Sequence, residues 1–207
     1  MGKKRKERSD EPGPRAQVKK LGAKCSICPL RDQVPVLGEG PLGAAVAVIG
    51  EAPGREEVKV GKPFVGRSGE ALDNYLYEVG IPRSTVFVSN ALCCFPPGGD
   101  LDAFLTRERR AHKEKHGIGK KAPKFVDPID CCRPRLFNEL KVSLCKQCGK
   151  FLQGPMELQC VCANPLVVKR ETPTVLVPMG NAAMESLLGY DGITKWRGSA
   201  LQWKRGR

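Results

Sequence analysis

An α/β domain with a mainly parallel sheet is the fold class this sequence predicts. Three observations carry it. Residues 44–49 are an unbroken apolar run that stops at Gly50, the mark of a strand buried on both faces. A helical pattern and then a β-branched run follow, giving strand, helix, strand. The alternation returns from residue 174 onward, in a chain of 207 residues that is long enough to bury such a core without disulfides.

Residues 1–20 are rich in Lys, Arg, Glu, Gly and Pro and nearly free of apolar side chains, so they read as a basic disordered arm outside the fold. After the first strand, Ala71, Leu72, Tyr75, Leu76 and Val79 recur at helical spacing within 68–79, and Gly80 is placed to end that helix. Residues 85–89, Thr-Val-Phe-Val-Ser, are β-branched and aromatic and read as a second strand ending at Asn90. A helix is expected over 128–142 with Leu136, Phe137 and Leu140 on one face, then a third buried strand over 174–178 and a short helix over 181–188. Ligands of parallel sheets bind beyond the carboxyl ends of the strands. Gly50-Glu51, Asn90 and Gly180 are therefore expected side by side.

Composition excludes several classes. No apolar run approaches the roughly 18 to 20 residues that a membrane span requires. The charged N-terminus has no apolar stretch behind it and is not read as a secretory signal. A cytoplasmic, nucleoid-associated setting, cellular or viral, is the expectation, with the 10 cysteines reduced and metal ligation favoured over disulfides. The net charge of +13 is uneven: residues 1–24 hold 9 basic and 3 acidic groups, 100–124 hold 8 and 4, and 195–207 hold 5 and 0. A nearly neutral body with basic arms fits a phosphate-bearing partner such as DNA, although basic tails also serve solubility.

The strand ends carry the chemistry. Gly50-Glu51-Ala52-Pro53-Gly54 is a turn with an unusual backbone path, and Gly61-Lys62-Pro63-Phe64-Val65-Gly66 follows it. A carboxylate on a rigid turn can orient or deprotonate water, a phenyl ring can stack on a flat base, and a carboxamide such as Asn90 can both donate to and accept from a pyrimidine edge. Together they suit a base-recognition pocket.

These segments, with Gly80-Ile81-x-Arg83 and Asn90-x-x-x-Cys94-x-Pro96-Pro97, resemble the iron-sulfur, thermostable-type (family 4) uracil-DNA glycosylases. The likeness covers residues 21–98, resumes at Cys132-Arg-Pro-Arg-Leu136 and returns over 172–198. It implies a three-layer α/β/α sandwich around a short, mainly parallel sheet, a [4Fe-4S] cluster on Cys25, Cys28, Cys94 and Cys132, and hydrolysis of the bond between uracil and deoxyribose. By the same resemblance Glu51 and its turn position the attacking water, Phe64 stacks on the flipped uracil, Asn90 reads its polar edge, and Gly50 and Ala52 complete the uracil site. Glu57 falls at another acidic position of the motif.

The chain departs from the family at its closing end. The family's closing strand and His-Pro-Ser-like loop, whose histidine stabilises the uracil anion, have no counterpart here. The only histidines, His112 and His116, lie in a lysine-rich stretch that reads as a solvated face. The chain is thus expected to be truncated relative to the family and weakened in activity, with a separate polypeptide as one source of the missing segment.

Cys25-x-x-Cys28 is a metal signal in its own right, because that spacing lets both sulfurs face one centre. Cys93 and Cys131, next to Cys94 and Cys132, are placed as spectators, with the choice of ligand within each adjacent pair left open. The long gap between Cys94 and Cys132 makes 99–127 an insertion, either a loop on the DNA side or a surface insert. A second insertion, 143–171, holds Cys145-x-x-Cys148-Gly149 and Cys160-x-Cys162. It is read as a zinc-ribbon-like site, against the alternative of unligated thiols. The domain expectation is an arm over 1–20 and a glycosylase-like domain over 21–207, a monomer acting on single- or double-stranded DNA in base excision repair. The alternatives are a weak or inactive glycosylase-like DNA-binding module and an iron-sulfur and zinc accessory domain of a larger replication protein.

Overall fold

A computed structural model describes residues 13–41, 44–117, 119, 122–140, 143–144, 151–152, 173, 175–189 and 192–196. In chain order the elements are α1 (Pro14–Lys20), β1 (Val46–Gly50), α2 (Arg55–Val60), α3 (Arg67–Glu78), β2 (Val86–Asn90), α4 (Leu101–His116), α5 (Pro128–Glu139), β3 (Ser143–Leu144), β4 (Phe151–Leu152), β5 (Val175–Pro178), α6 (Asn181–Leu188) and α7 (Ile193–Trp196). The strands β2, β1 and β5 form a parallel sheet in that order, with Gly50 opposite Asn90 and Ile49 opposite Pro178. The expected architecture is present, with β1 at its centre.

Strand periodicity sorts the core into two faces. Val48, Val86 and Val88 point to one side, where Leu72 and Leu76 of α3 cover them. Ala47, Ile49 and Phe87 point to the other and meet Leu136, Phe137 and Leu140 of the α5 segment with Ala183 and Leu187 of α6. Helices therefore lie on both faces, as crossover connections in parallel sheets require. A third cluster, beyond the end of β2, gathers Val18, Leu30, Leu92, Leu101, Phe104, Leu105, Ile129 and six cysteines. Asp100 caps α4 by accepting from the Ala103 amide at 2.9 Å, and Asp127 caps α5 by accepting from Ile129 at 2.9 Å.

Four expectations are corrected. Residues 14–20 form α1 and bury Val18 completely, so this part of the arm belongs to the domain. One apolar side chain among lysines is too weak a period to read, yet it packs on the cysteine cluster. Residues 101–116 form α4, whose Leu101, Phe104 and Leu105 enter the same core, so this stretch is neither a loop nor a mere surface insert. The buried stripe of α3 is narrow, Gly69, Leu72 and Leu76, while Tyr75 and Val79 stay exposed. In β5, an edge strand among the described strands, Val175 and Val177 are exposed, so this strand is not buried on both faces as expected. The strands and helices otherwise fall within a few residues of expectation, and α6 spans the predicted range. Among the described residues no helix is long and apolar enough to cross a membrane.

Candidate functional site

The carboxyl ends of β1, β2 and β5 open into one pocket of about 750 Å³. Gly50, Glu51, Ala52, Phe64 and Asn90 all line it, so the structure brings together every residue that the sequence assigned to base and water. Met179 and Gly180 add the end of β5, and Gly54, Arg55, Glu56, Glu57, Gly66, Arg67 and Ser68 add the starts of α2 and α3.

Gly50 explains the pocket's floor. A Cβ there would strike Asn90 Oδ1 and lie 2.8 Å from the Phe64 ring. The absent side chain is what lets carboxamide and ring meet over the strand end. Asn90 is almost buried, whereas Phe64 is partly exposed toward the opening. Phe64 has φ of 57°, a left-handed conformation that is rare for a bulky side chain and costs on the order of 1–3 kcal/mol. Gly69, one turn into α3, has no Cβ to strike the Phe64 carbonyl. Strain of this kind persists only where neighbouring structure fixes it.

Glu57 supplies that fixation, a role the sequence reading left open. Its buried carboxylate accepts from the amides of Gly54 at 2.9 Å, Val65 at 3.2 Å and Gly66 at 2.9 Å. One side chain thus clips the turn after β1 to the loop that carries Phe64. The spacing from Gly54 to Gly66 encloses Glu57, but only the fold shows that both loops converge on it. Glu51 stands at the pocket's rim. Burial raises its pKa, and the nearby charges of Asp102 and Asp100 raise it further. The chain's two histidines are both on α4, with rings 4.7 Å apart, and neither lines the pocket.

Behind the pocket Cys25, Cys28, Cys93, Cys94, Cys131 and Cys132 are all buried and unpaired by disulfides. Cys93 Sγ lies 3.7 Å from Cys94 Sγ and 3.8 Å from Cys132 Sγ, so the proposed spectator touches two of the expected ligands. Arg15 of α1 directs Nη1 at the sulfurs of Cys25 and Cys94, each at 3.6 Å. Burial pushes the Cys28 thiol up to about 12, whereas Cys94 is lowered, first by its contact with Cys93 and also by Arg15. Among the described residues no three or more His, Cys, Asp or Glu side chains are set to hold a single metal ion. Cys145, Cys148, Cys160 and Cys162 lie outside the described residues.

Comparison with known proteins agrees with this geometry. A model of the Uracil DNA glycosylase superfamily matches residues 37–154, more than half the chain. The chain belongs to this superfamily. Within the uracil-DNA glycosylase superfamily it is 48% identical over 191 residues to a type-4 uracil-DNA glycosylase of Thermotoga maritima, a match covering 89% of this chain and 72% of that protein. It is 42% identical over 77 residues to the type-4 enzyme of Pyrobaculum aerophilum, covering 35% of this chain and 38% of that one. A third type-4 enzyme, from Archaeoglobus fulgidus, is 44% identical over 62 residues, or 30% of this chain and 31% of its own.

Proposed function

We propose that this superfamily member removes uracil from DNA by hydrolysing the N-glycosidic bond. The observation that carries the reading is the meeting of Phe64 and Asn90 over Gly50 with Glu51 at the rim. A target base must leave the stack before its C1′ can be reached. Once flipped, uracil stacks on Phe64, and the Asn90 carboxamide, able to donate and accept at once, matches its carbonyl and imide edge. Cytosine presents an amino group there and is refused.

Glu51 then orients a water against C1′ and takes its proton. Oxygen bonds to C1′ as the C1′–N1 bond breaks, and the bonding pair departs with uracil as an anion. Asn90, Arg55, Arg67 and the amino end of α3 are the groups of this pocket that can offset that charge. Products are free uracil and an abasic deoxyribose. Glu51 acts as its carboxylate, so activity is lost as pH falls through its raised pKa.

Cys25, Cys28, Cys94 and Cys132 are the proposed ligands of a [4Fe-4S] cluster. The donor chemistry fits: six buried thiols share one site with a guanidinium aimed at two of the sulfurs, and a cubane is held at separate corners rather than at one point. Bound there, the cluster would supply structural cross-linking between α1's flank, the end of β2 and α5. Cys145, Cys148, Cys160 and Cys162 are proposed to hold one zinc ion. Antiparallel pairing of Ser143 with Leu152 and Leu144 with Phe151 supports this, because Cys145 and Cys148 fall in sequence between the two paired segments.

The deciding experiment is uracil release from a single-stranded uracil-containing oligonucleotide by anaerobically purified protein, with iron, sulfide and zinc counted on the same sample. Release abolished by Glu51→Gln, with oligonucleotide binding kept, is the expected result. Absence of release from cluster-loaded wild-type protein would overturn the reading in favour of a binding module.

A further inference from the structure

We infer that Arg135 is a positioning residue for the base pocket, holding Asn90 and the Glu51 turn in register from behind the sheet; this rests on the proposed glycosylase reading. Arg135 is fully buried, an expensive place for an obligate cation. It lies on α5 between Cys132 and the apolar pair Leu136 and Phe137, within electrostatic reach of Cys93 and Cys132. Its hydrogen bonds show what it does. Nη2 donates to the carbonyls of Asn90 at 2.6 Å and Ala91 at 3.0 Å, and Nη1 donates to Ser89 Oγ at 3.0 Å and Glu139 Oε2 at 2.6 Å.

Glu139 closes the ring. Its carboxylate accepts from Ser89 Oγ at 2.6 Å and from the Gly38 amide at 3.4 Å, so the buried charge pair spends its bonds on the end of β2. The consequence reaches the substrate side through two further bonds. The Ala91 amide donates to the Gly50 carbonyl at 2.8 Å and the Leu92 amide donates to the Glu51 carbonyl at 2.9 Å. Fixing the carbonyls of Asn90 and Ala91 therefore fixes both walls of the pocket, the carboxamide and the carboxylate turn. Arg135 also stands one helical turn beyond Cys132, so the cysteine site and the base pocket share α5 as a common support.

Removing Arg135 alone would strand the Glu139 carboxylate in the interior, which is strongly destabilising. The test is therefore the double variant Arg135→Met/Glu139→Gln, with Glu139→Gln as the control: its amide oxygen can still accept from Nη1, and the guanidinium keeps the carbonyls of Asn90 and Ala91 as acceptors. For uracil release from a single-stranded oligonucleotide, kcat of the double variant is expected to fall about 10²-fold while KM stays within about threefold, the signature of misplaced groups rather than lost DNA binding. Glu139→Gln should retain kcat within about tenfold of wild type. Independently of turnover, amide hydrogen exchange at Ala91 and Leu92 should quicken at least about tenfold in the double variant relative to the control, as those bonds open locally.

Wild-type kcat in an iron-replete double variant, or unchanged exchange at both amides, overturns the inference. Equal loss in the control does so too, since the carboxylate and not the guanidinium would then be responsible. Wild-type protein that releases no uracil defeats the glycosylase reading instead, and the exchange measurement still decides whether Arg135 holds the strand end.

Discussion

Asn90 Oδ1 and the Phe64 ring both stand so close over Gly50 that a single methyl group there would strike them. Gly50→Ala should accordingly lower uracil release by about 10²-fold, measured as kcat/KM, because a displacement near 1 Å at a reacting site costs about that much. Unaltered kcat/KM would show that this carboxamide does not read the base. Glu57→Gln removes the charge from a side chain that serves three amides, and a charged hydrogen bond is worth about 1.5–3 kcal/mol. A loss of that size in urea unfolding is expected, with Phe64 released from its left-handed conformation. On the proposed mechanism the acid limb of the pH profile belongs to Glu51. Burial is the larger cause of its raised pKa and Asp102 the next, so Asp102→Asn should move the acid limb of kcat/KM to lower pH without abolishing it. A limb that stays in place would assign the titration to another group.

At the scale of elements, α5 bears most of the burden. It starts at a Pro behind the Asp127 cap, tolerates Pro134 inside, and presents Cys131 and Cys132 to one cluster and Leu136 and Phe137 to another. Loss of the cap in Asp127→Ala should cost about 1 kcal/mol by thermal unfolding. A change well beyond that would show the salt bridge from Arg109 at 2.9 Å to be more than a surface pair. Helix α1 illustrates the opposite case. Its sequence reads as a basic arm, yet Val18 is entirely buried and Arg15 reaches two cysteine sulfurs. Arg15→Met should therefore speed iron loss to a chelator, followed by absorbance, even where uracil release at the start is unchanged. An unchanged rate of loss would mean that the guanidinium does not support the cluster.

For the molecule as a whole, the cysteines join segments far apart in the chain: the stretch after α1, the end of β2 and the middle of α5. Cys94 lies only four residues beyond Asn90, so order at the proposed cluster site and order at the pocket are mechanically close. Metal bound to the folded state alone adds to stability by mass action. Removing iron anaerobically should lower the thermal midpoint and weaken uracil release together, whereas a pocket that kept full activity after iron removal would separate the two.

The strands and the main helices of the sheet domain were legible because their periods are local: an apolar run ending at Gly50, a β-branched run ending at Asn90, and a Gly stop for α3. The lining of the pocket was legible too, since Gly50-Glu51, Phe64 and Asn90 sit in short motifs beside strand ends, and parallel strands carry their ends to one side. Other features had no local signal. Val18, Phe104 and Leu105 are buried by partners distant in sequence, so charge-rich surroundings hid them. Glu57 and Arg135 look like ordinary charged residues until the fold shows amides and carbonyls converging on them. The sequence by itself determined which backbone segments become strands and which side chains stand at their ends, because period and turn chemistry act within a few residues. Tertiary structure alone decided which buried charges hold that site in shape, because a hydrogen bond between residues forty-five apart exists only once the chain has folded.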